Sequence, residues 1–309
     1  MSLVSAFFGT GPSGFGYGST AEQVTEGLDL SGQVVLLTGC NSGIGLESMR
    51  VLALRGATVL ALARSRDKAE RAAEAVISAE GPGRAIPYAC ELSDAASVRA
   101  CVAAIRDDGH ALDAMVLNAG IMSPARRTVE HGLEIQFLTN HMGHFILATG
   151  LLDRLTASGR VVSLSSTGHK MAPRGGIRFD DLAMERGYEK WQAYGQSKLA
   201  NLLFAAELAR RMPPGQVALS VHPGVIATNL GRNMGSVMQG GFRIVGPLLG
   251  KSIPQGAATQ VWAAVHPDAA AHSGAYLADC NVARTSRHGR NPALAARLWA
   301  VSEDLAARL

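Results

Sequence analysis

From residue 33 onward, short apolar runs at 33–38, 57–62, 84–89, 113–117, 160–164, 217–221 and 275–278 alternate with helical patterns at 43–55, 66–79, 94–106, 130–152, 192–211 and 255–265, and a last helical pattern spans 292–308. Runs such as Gln33-Val-Val-Leu-Leu-Thr38 are apolar almost throughout, as a strand covered on both faces requires. Strands separated by helices are joined in parallel by crossovers. The pattern therefore predicts an α/β fold: a single-domain, doubly wound parallel sheet of about seven strands with helices on both faces. The length of 309 residues allows one domain or two, but no linker or second composition regime interrupts the rhythm. One domain is expected over 32–309, preceded by a Gly/Ser-rich N-terminal extension over 1–31.

Composition excludes several classes. With 47% hydrophobic and 17% charged residues the chain can build a large core, which argues against disorder. The net charge of +4 is only 29 against 25, and no block of five Lys/Arg exists, so no nucleic-acid partner is expected. No apolar run approaches 18 residues, so no transmembrane segment is expected. Arg50 is the first basic residue, which does not fit the start of a secretory signal. Cys40, Cys90, Cys101 and Cys280 lack CxxC spacing and read as reduced, buried thiols, and the expected location is cytoplasmic. His131, His141, His144 and His169 do not have zinc-ligand spacing, and no metal is expected.

The first apolar run leads into Thr38-Gly39-Cys40-Asn41-Ser42-Gly43-Ile44-Gly45, which opens the first helix. Gly39 allows a tight turn, Gly43 a close approach of backbone to a pyrophosphate, and Gly45 close packing of helix on sheet, with the free N–H groups of the helix start facing phosphate. Gly9-Thr-Gly11-Pro-Ser-Gly14 also matches a dinucleotide pattern, but neither strand nor helix flanks it, so it reads as an ordinary loop. Ala63 and Arg64 stand 18 and 19 residues beyond Gly45, where a carboxylate selects an unphosphorylated ribose and an Arg suits a 2′-phosphate. Arg64 thus points to NADP(H) rather than NAD(H), although in so Arg-rich a chain it could also be an ordinary surface residue. Residues 229–254 break the rhythm with six glycines, two Met, Phe242 and several aliphatics, and read as a substrate lid. A membrane-surface patch is the alternative.

Further motifs follow in order: Asn118-Ala119-Gly120 after a strand, Asn140 in a helix, Ser165-Ser166 after a strand, Tyr194-x-x-x-Lys198, and Pro223-Gly224-Val225 with Thr228. In this order they resemble the short-chain dehydrogenase/reductase family, over about residues 30–309. Tyr194-Gly-Gln-Ser-Lys-Leu-Ala-Asn201 and Asn140-His-Met-Gly-His-Phe145 are similar to its retinol-dehydrogenase-like branch, which includes the WW-domain-containing oxidoreductase. The resemblance implies a Rossmann fold and hydride exchange with an alcohol/carbonyl pair. It implies that Asn118, Ala119 and Gly120 line the adenine ribose and that Pro223, Gly224, Val225 and Thr228 lie at the carboxamide end. Lys198 would bond the nicotinamide ribose, and Asn140 would hold a water of a proton relay. Glu91-Leu92 stands where the family has Asp-Leu against adenine, which weakens Glu91 as a contact. Related enzymes pair through the helices matching 130–152 and 192–211, implying a homodimer or homotetramer.

The chemistry of the tetrad can also be read from the residues. Tyr194 and Lys198 are four apart and share one helix face. A neighbouring ammonium favours phenolate, so Lys198 is expected to lower the Tyr194 pKa and fit it for proton exchange with a substrate oxygen. Ser166, or its neighbour Ser165, would position that oxygen. A non-catalytic cofactor sensor could dispense with these groups, yet all four positions are filled. An epimerase or dehydratase of the wider superfamily would need a larger C-terminal substrate region. The expected substrate is a hydrophobic small molecule bearing a carbonyl or alcohol.

Overall fold

The structure is a computed structural model and describes residues 9–77, 81–226 and 250–309. Strand β1 (Val34–Thr38) shows why its sequence is apolar throughout. Val35 and Leu37 enter one core, with Met49 and Leu52 of α1 (Gly43–Leu54) and Trp262 of α7 (Ile253–Val265). Leu36 enters the other, with Ile105 of α3 (Ala95–Asp107), Phe145 of α5 (Gly143–Thr149) and Leu203 of α6 (Lys190–Arg211). A strand with a core on each face cannot alternate polar with apolar residues.

The remaining strands are β2 (Thr58–Ala63), β3 (Arg84–Ala89), β4 (Leu112–Leu117), the hairpin pair β5 (Val129–Glu130) and β6 (Leu133–Glu134), β7 (Leu155–Leu164), β8 (Val217–His222), β9 (Tyr276–Ala278) and β10 (Asn281–Val282). The main sheet runs β10-β9-β8-β7-β4-β1-β2-β3, parallel except for β9 with β10. It has eight strands where about seven were expected. The extra one is two residues long and is turned back at Asp279 and Cys280, whose φ values of 52° and 60° are left-handed. Helix α2 (Arg66–Ile77) joins α1 and α7 on the first face. The strand order reverses direction between β1 and β4, so the carboxyl ends there splay and open a crevice.

The helix expected over 130–152 is broken in two ways. His131 (φ 53°) and Gly132 (φ 76°) form the two-residue turn between β5 and β6, the left-handed pair that tight hairpins need. The buried Glu134 then caps a short helix α4 (Ile135–Phe137) by accepting from the N–H groups of Gln136 and Phe137. A π-helical turn over Leu138–Met142 separates α4 from α5. The N-terminal extension packs on the domain where it is described. Ala21, Val24 and Leu30 are buried in the first core, and the Ala21 N–H bonds the Pro254 carbonyl at 2.9 Å. The Gly9–Gly14 loop wraps Asn281, whose Oδ1 accepts from the Ser13 N–H at 3.0 Å and whose Nδ2 donates to the Phe15 carbonyl at 2.9 Å. Side-chain packing, not phosphate, explains Gly11, since a Cβ there would lie 2.4 Å from Asn281.

The C-terminal helix α8 (Pro292–Arg308) covers α5 and α6. Trp299 stacks on Phe204 at 5.8 Å, meets Phe145 edge-on at 5.2 Å, and carries the Arg211 guanidinium on its ring at 4.5 Å. Ser302 meets the His141 ring at 2.8 Å. The sides of α5 and α6 that carry His141, Phe145 and Phe204 are thus covered from within the same chain. The outer side of α8, with Arg297, Glu303, Asp304 and Arg308, is exposed and charged.

Trp299 is 6% exposed, and truncating it opens a large cavity under α8. Trp299→Ala is expected to lower unfolding free energy by about 3–5 kcal/mol, measured by urea denaturation. Glu303→Ala, at an exposed position of the same helix, is expected to cost less than about 1 kcal/mol.

Candidate active site

A cleft of about 820 Å³ opens at the carboxyl ends of the strands around the β1/β4 reversal. It is lined by Gly39, Asn41, Ser42, Gly43, Ile44, Gly45, Arg64, Glu91, Leu92, Asn118, Ala119, Gly120, Ser166, Tyr194, Lys198, Pro223, Gly224 and Val225, so residues dispersed over the sequence meet on one surface. Asn140 is fully buried one layer behind. Thr228 and residues 229–249 of the expected lid lie outside the described residues. The end of that segment is the start of α7, where Ser252 and Gln255 form a reciprocal cap.

At the nucleotide end the turn after β1 is as tight as the glycines allow. Gly39 has φ 69°, which a β-carbon disfavours. A Cβ on Gly45 would lie 2.0 Å from the Gly39 carbonyl oxygen, so α1 begins almost in contact with the strand it follows. Ser42 stands at the helix cap in an extended conformation, but its side chain makes no capping bond, leaving first-turn N–H groups for a ligand. Asn118 anchors the neighbouring loop by donating from Nδ2 to the Thr38 carbonyl at 2.8 Å. Its Oδ1 is buried without a partner. The Arg64 guanidinium, at the end of β2, is exposed and has no hydrogen bond or ion pair among the described residues. The Glu91 carboxylate is taken up locally, accepting from the Ser93 hydroxyl at 3.0 Å and N–H at 3.2 Å.

At the opposite end α6 brings Tyr194 and Lys198 against the loop after β7. Two glycines permit this approach: a Cβ on Gly195 would lie 2.6 Å from the Ala172 nitrogen, and one on Gly168 would lie 2.7 Å from the Tyr194 ring. The two serines have separate roles. Ser165 is buried and donates to the Lys198 carbonyl at 2.7 Å, tying strand to helix. Ser166 lines the cleft, bonds Tyr194, and accepts from the Gly168 N–H at 3.1 Å. Lys198 is 3% exposed and donates from Nζ to the Leu164 carbonyl at 2.9 Å.

Burial pushes the Lys198 ammonium down to about 8. It also pushes the Tyr194 phenol above its usual value, with the Ser166 hydrogen bond acting the other way. The expectation that Lys198 lowers the Tyr194 pKa is therefore not met. Nζ sits 5.9 Å from the centre of the Tyr194 ring and is turned toward Leu164, so loss of water outweighs the charge.

Asn140 occupies the π turn, where its side chain can face Gly120–Ile121 instead of continuing a helical row. Oδ1 accepts from the Ile121 N–H at 2.8 Å, and Nδ2 donates to the Ile121 carbonyl and to Ser197 Oγ, both at 2.9 Å. Ser197 in turn donates to the Tyr194 carbonyl at 2.8 Å. Two residues of the site were missed in the sequence. His222, just before Pro223, lines the cleft with a buried, unpartnered Nδ1, and burial pushes it down to about 4. Trp191 lines the cleft one turn before Tyr194. Their signal was available as a His beside Pro-Gly and a Trp on the Tyr194 face. Among the described residues, no three His, Cys, Asp or Glu cluster as a metal site, and no helix is long and apolar enough to cross a membrane.

Comparison with known proteins places this cleft in context. Residues 33–179 match the family model for short chain dehydrogenase. The chain is 40% identical to the chloroplastic short-chain dehydrogenase TIC 32 B of Brassica napus, over 96% of this chain and 95% of that protein. It is 39% identical to retinol dehydrogenase 12 of Mus musculus, over 91% of this chain and 88% of that protein. Among solved structures it resembles an uncharacterized protein from Mycobacterium Paratuberculosis with a TM-score of 0.71 and 33% identity, covering 92% of this chain and 97% of that one.

The geometry separates the adjacent serines by experiment. Ser166→Ala, which removes a hydroxyl facing the cleft, is expected to lower turnover of a carbonyl substrate by about 100-fold. Ser165→Ala is expected to lower stability by about 1–2 kcal/mol while the folded protein turns over within a few-fold of the parent. Steady-state kinetics and thermal melts on both variants check this.

Proposed function

This chain belongs to the short-chain dehydrogenase/reductase family, on its retinol-dehydrogenase-like side, and we propose that it exchanges hydride between NADP(H) and the alcohol or carbonyl group of a bulky hydrophobic small molecule. The observation that carries this reading is the meeting, in one cleft, of the glycine-rich turn with a partner-free Arg64 and of Ser166, Tyr194 and Lys198. The residues present fit a dinucleotide. The turn and α1 offer uncapped N–H groups for the pyrophosphate. Asn118 Oδ1 is a buried acceptor still lacking a donor. The Arg64 guanidinium is free to hold a 2′-phosphate.

The bound nicotinamide would supply or accept the hydride. This chain's residues would handle the oxygen and the proton. Ser166 would donate to the substrate oxygen and fix its position. Tyr194, held protonated by burial, suits the role of proton donor to a carbonyl oxygen during reduction. Lys198, anchored through Leu164, would hold a ribose hydroxyl and add positive potential behind Tyr194 as the phenol loses its proton. Asn140 would keep the Gly120–Ile121 backbone and α6 in register beside it.

The apolar lining supports the substrate class. The exposed large hydrophobic residues among those described are Ile121, Met171, Val225 and Val282, and the first three all line the cleft. Met122, Ile135 and Trp191 continue the same lining. A small polar sugar would leave this surface wet, whereas a bulky apolar ketone or alcohol would cover it. Relatives named for retinol, itself an apolar alcohol, are in line with that class.

Two measurements test the reading. Tyr194→Phe is expected to reduce turnover by at least about 100-fold with NADPH affinity retained; near-parental turnover would refute the proton role. Arg64→Ala is expected to weaken NADPH binding by about 10–100-fold and leave NADH nearly unchanged. Equal losses for both cofactors, or a parental preference for NADH, would overturn the NADP assignment.

A further inference from the structure

His144 lies four residues after Asn140, is 2% exposed, and reaches one group in the cleft lining and one in the layer behind it. Its Nδ1 is 2.9 Å from the Asn140 carbonyl oxygen, in the π turn. Its Nε2 is 2.9 Å from Thr38 Oγ1, at the root of the glycine-rich turn. Thr38 Oγ1 also accepts from the Ala119 N–H at 3.0 Å. Chemistry orients every bond. A carbonyl only accepts, so Nδ1 carries the proton. In a neutral imidazole Nε2 is then the acceptor, so the Thr38 hydroxyl donates to it. A charged ring would turn Nε2–H toward Thr38 and displace that donation. Burial, with Lys198 nearby, keeps the ring neutral and pushes it down to about 4.

We propose that His144 is a positioning residue that ties the Asn140 carbonyl to Thr38, so that the glycine-rich turn and the proton-handling end of the cleft are held as one unit. The proposal rests on the reading of Tyr194 as the acid/base. The connection beyond Asn140 is continuous: Asn140 Nδ2 donates to Ser197 Oγ, and Ser197 donates to the carbonyl of Tyr194. The packing leaves no slack around it. A Cβ on Gly120 would lie 3.0 Å from Asn140 Oδ1 and 3.5 Å from Lys198 Nζ. A shift of Asn140 would therefore reach Tyr194 through Ser197 and press on Gly120, which lies between Asn140 and Lys198. An apolar side chain could fill the volume of the imidazole. It would leave the Thr38 hydroxyl and the Asn140 carbonyl without their shared partner.

The tautomer is read first, by nitrogen-15 NMR of the histidine rings in the full chain. His144 is expected as the Nδ1–H form, unchanged down to pH 5; an Nε2–H form overturns the proposal. Kinetics follow. His144→Leu is expected to lower kcat about 10-fold or more, as small misplacements in a reactive geometry do, with the Kd for NADPH within about threefold of the parent. His144→Gln can donate at one end and accept at the other, and is expected to recover most of the loss. Combining His144→Leu with Thr38→Val is expected to give a kcat within about threefold of the worse single variant, because both cut the same link. A His144→Gln variant as slow as His144→Leu, or losses that multiply in the double variant, would overturn the proposal. If His144→Leu fails to fold, the tautomer and His144→Gln with Thr38→Val decide. Failure of the acid/base reading shows separately, as normal turnover by Tyr194→Phe with the His144 tautomer unchanged.

Discussion

Lys198 is an ammonium held inside the protein, and much of the local architecture follows from keeping it there. A buried cation without a strong acceptor costs several kcal/mol. The Leu164 carbonyl at the end of β7 supplies that acceptor, which requires α6 to cross the sheet at close range. Gly195 and Gly168 make that range possible, and Ser165 fastens the same two elements through the Lys198 carbonyl. Once α6 is fixed, Tyr194 and Ser166 have little freedom. The cost remains visible, since both Lys198 and Tyr194 are shifted toward their neutral forms by burial.

The polar groups that the fold leaves unpaired are informative against this background. Most buried polar atoms in a folded protein have partners. Asn118 Oδ1 and His222 Nδ1 have none, and both residues line the cleft, one toward each end. Tyr276 OH is also buried and unpartnered, with its ring 5.2 Å from His169, whose Nδ1 meets the Ser166 carbonyl at 2.6 Å. Gln260 Oε1, Trp262 Nε1 and Trp299 Nε1 are likewise buried without a partner but lie away from the cleft, in helical packing. Among the described residues, only Asn118 and His222 combine an unpaired buried atom with a place in the cleft lining.

The C-terminal helix backs the helical layer behind the site. α8 seals α5 and α6 through Trp299 and Ser302, and so stabilises the layer that carries His141, His144 and Asn140. His141 is held against Ser302 and pushed down to about 3 by burial, which makes it a neutral packing group. The histidines thus act as oriented hydrogen-bonding wedges within the helical layer.

The sequence by itself determined the layered fold and the cast of site residues. Strand and helix periodicities are local, and a chain with apolar runs between helices has few ways to bury both. The motif spacings placed the glycine-rich turn, Asn118-Ala119-Gly120 and Ser165-Ser166 after strands and Tyr194 with Lys198 on one helix face, and these meet in one cleft. Tertiary structure alone decided three matters. It broke the helix expected over 130–152 at His131-Gly132 and at the π turn, because Asn140 satisfies Ile121 and Ser197 far along the chain. It tied the Ser165 hydroxyl to the Lys198 carbonyl and left the Ser166 hydroxyl beside Tyr194, although both serines line the cleft. It reversed the expected direction of the Tyr194 shift, because desolvation depends on what surrounds a group in space, and an i, i+4 spacing reports only which face it shares.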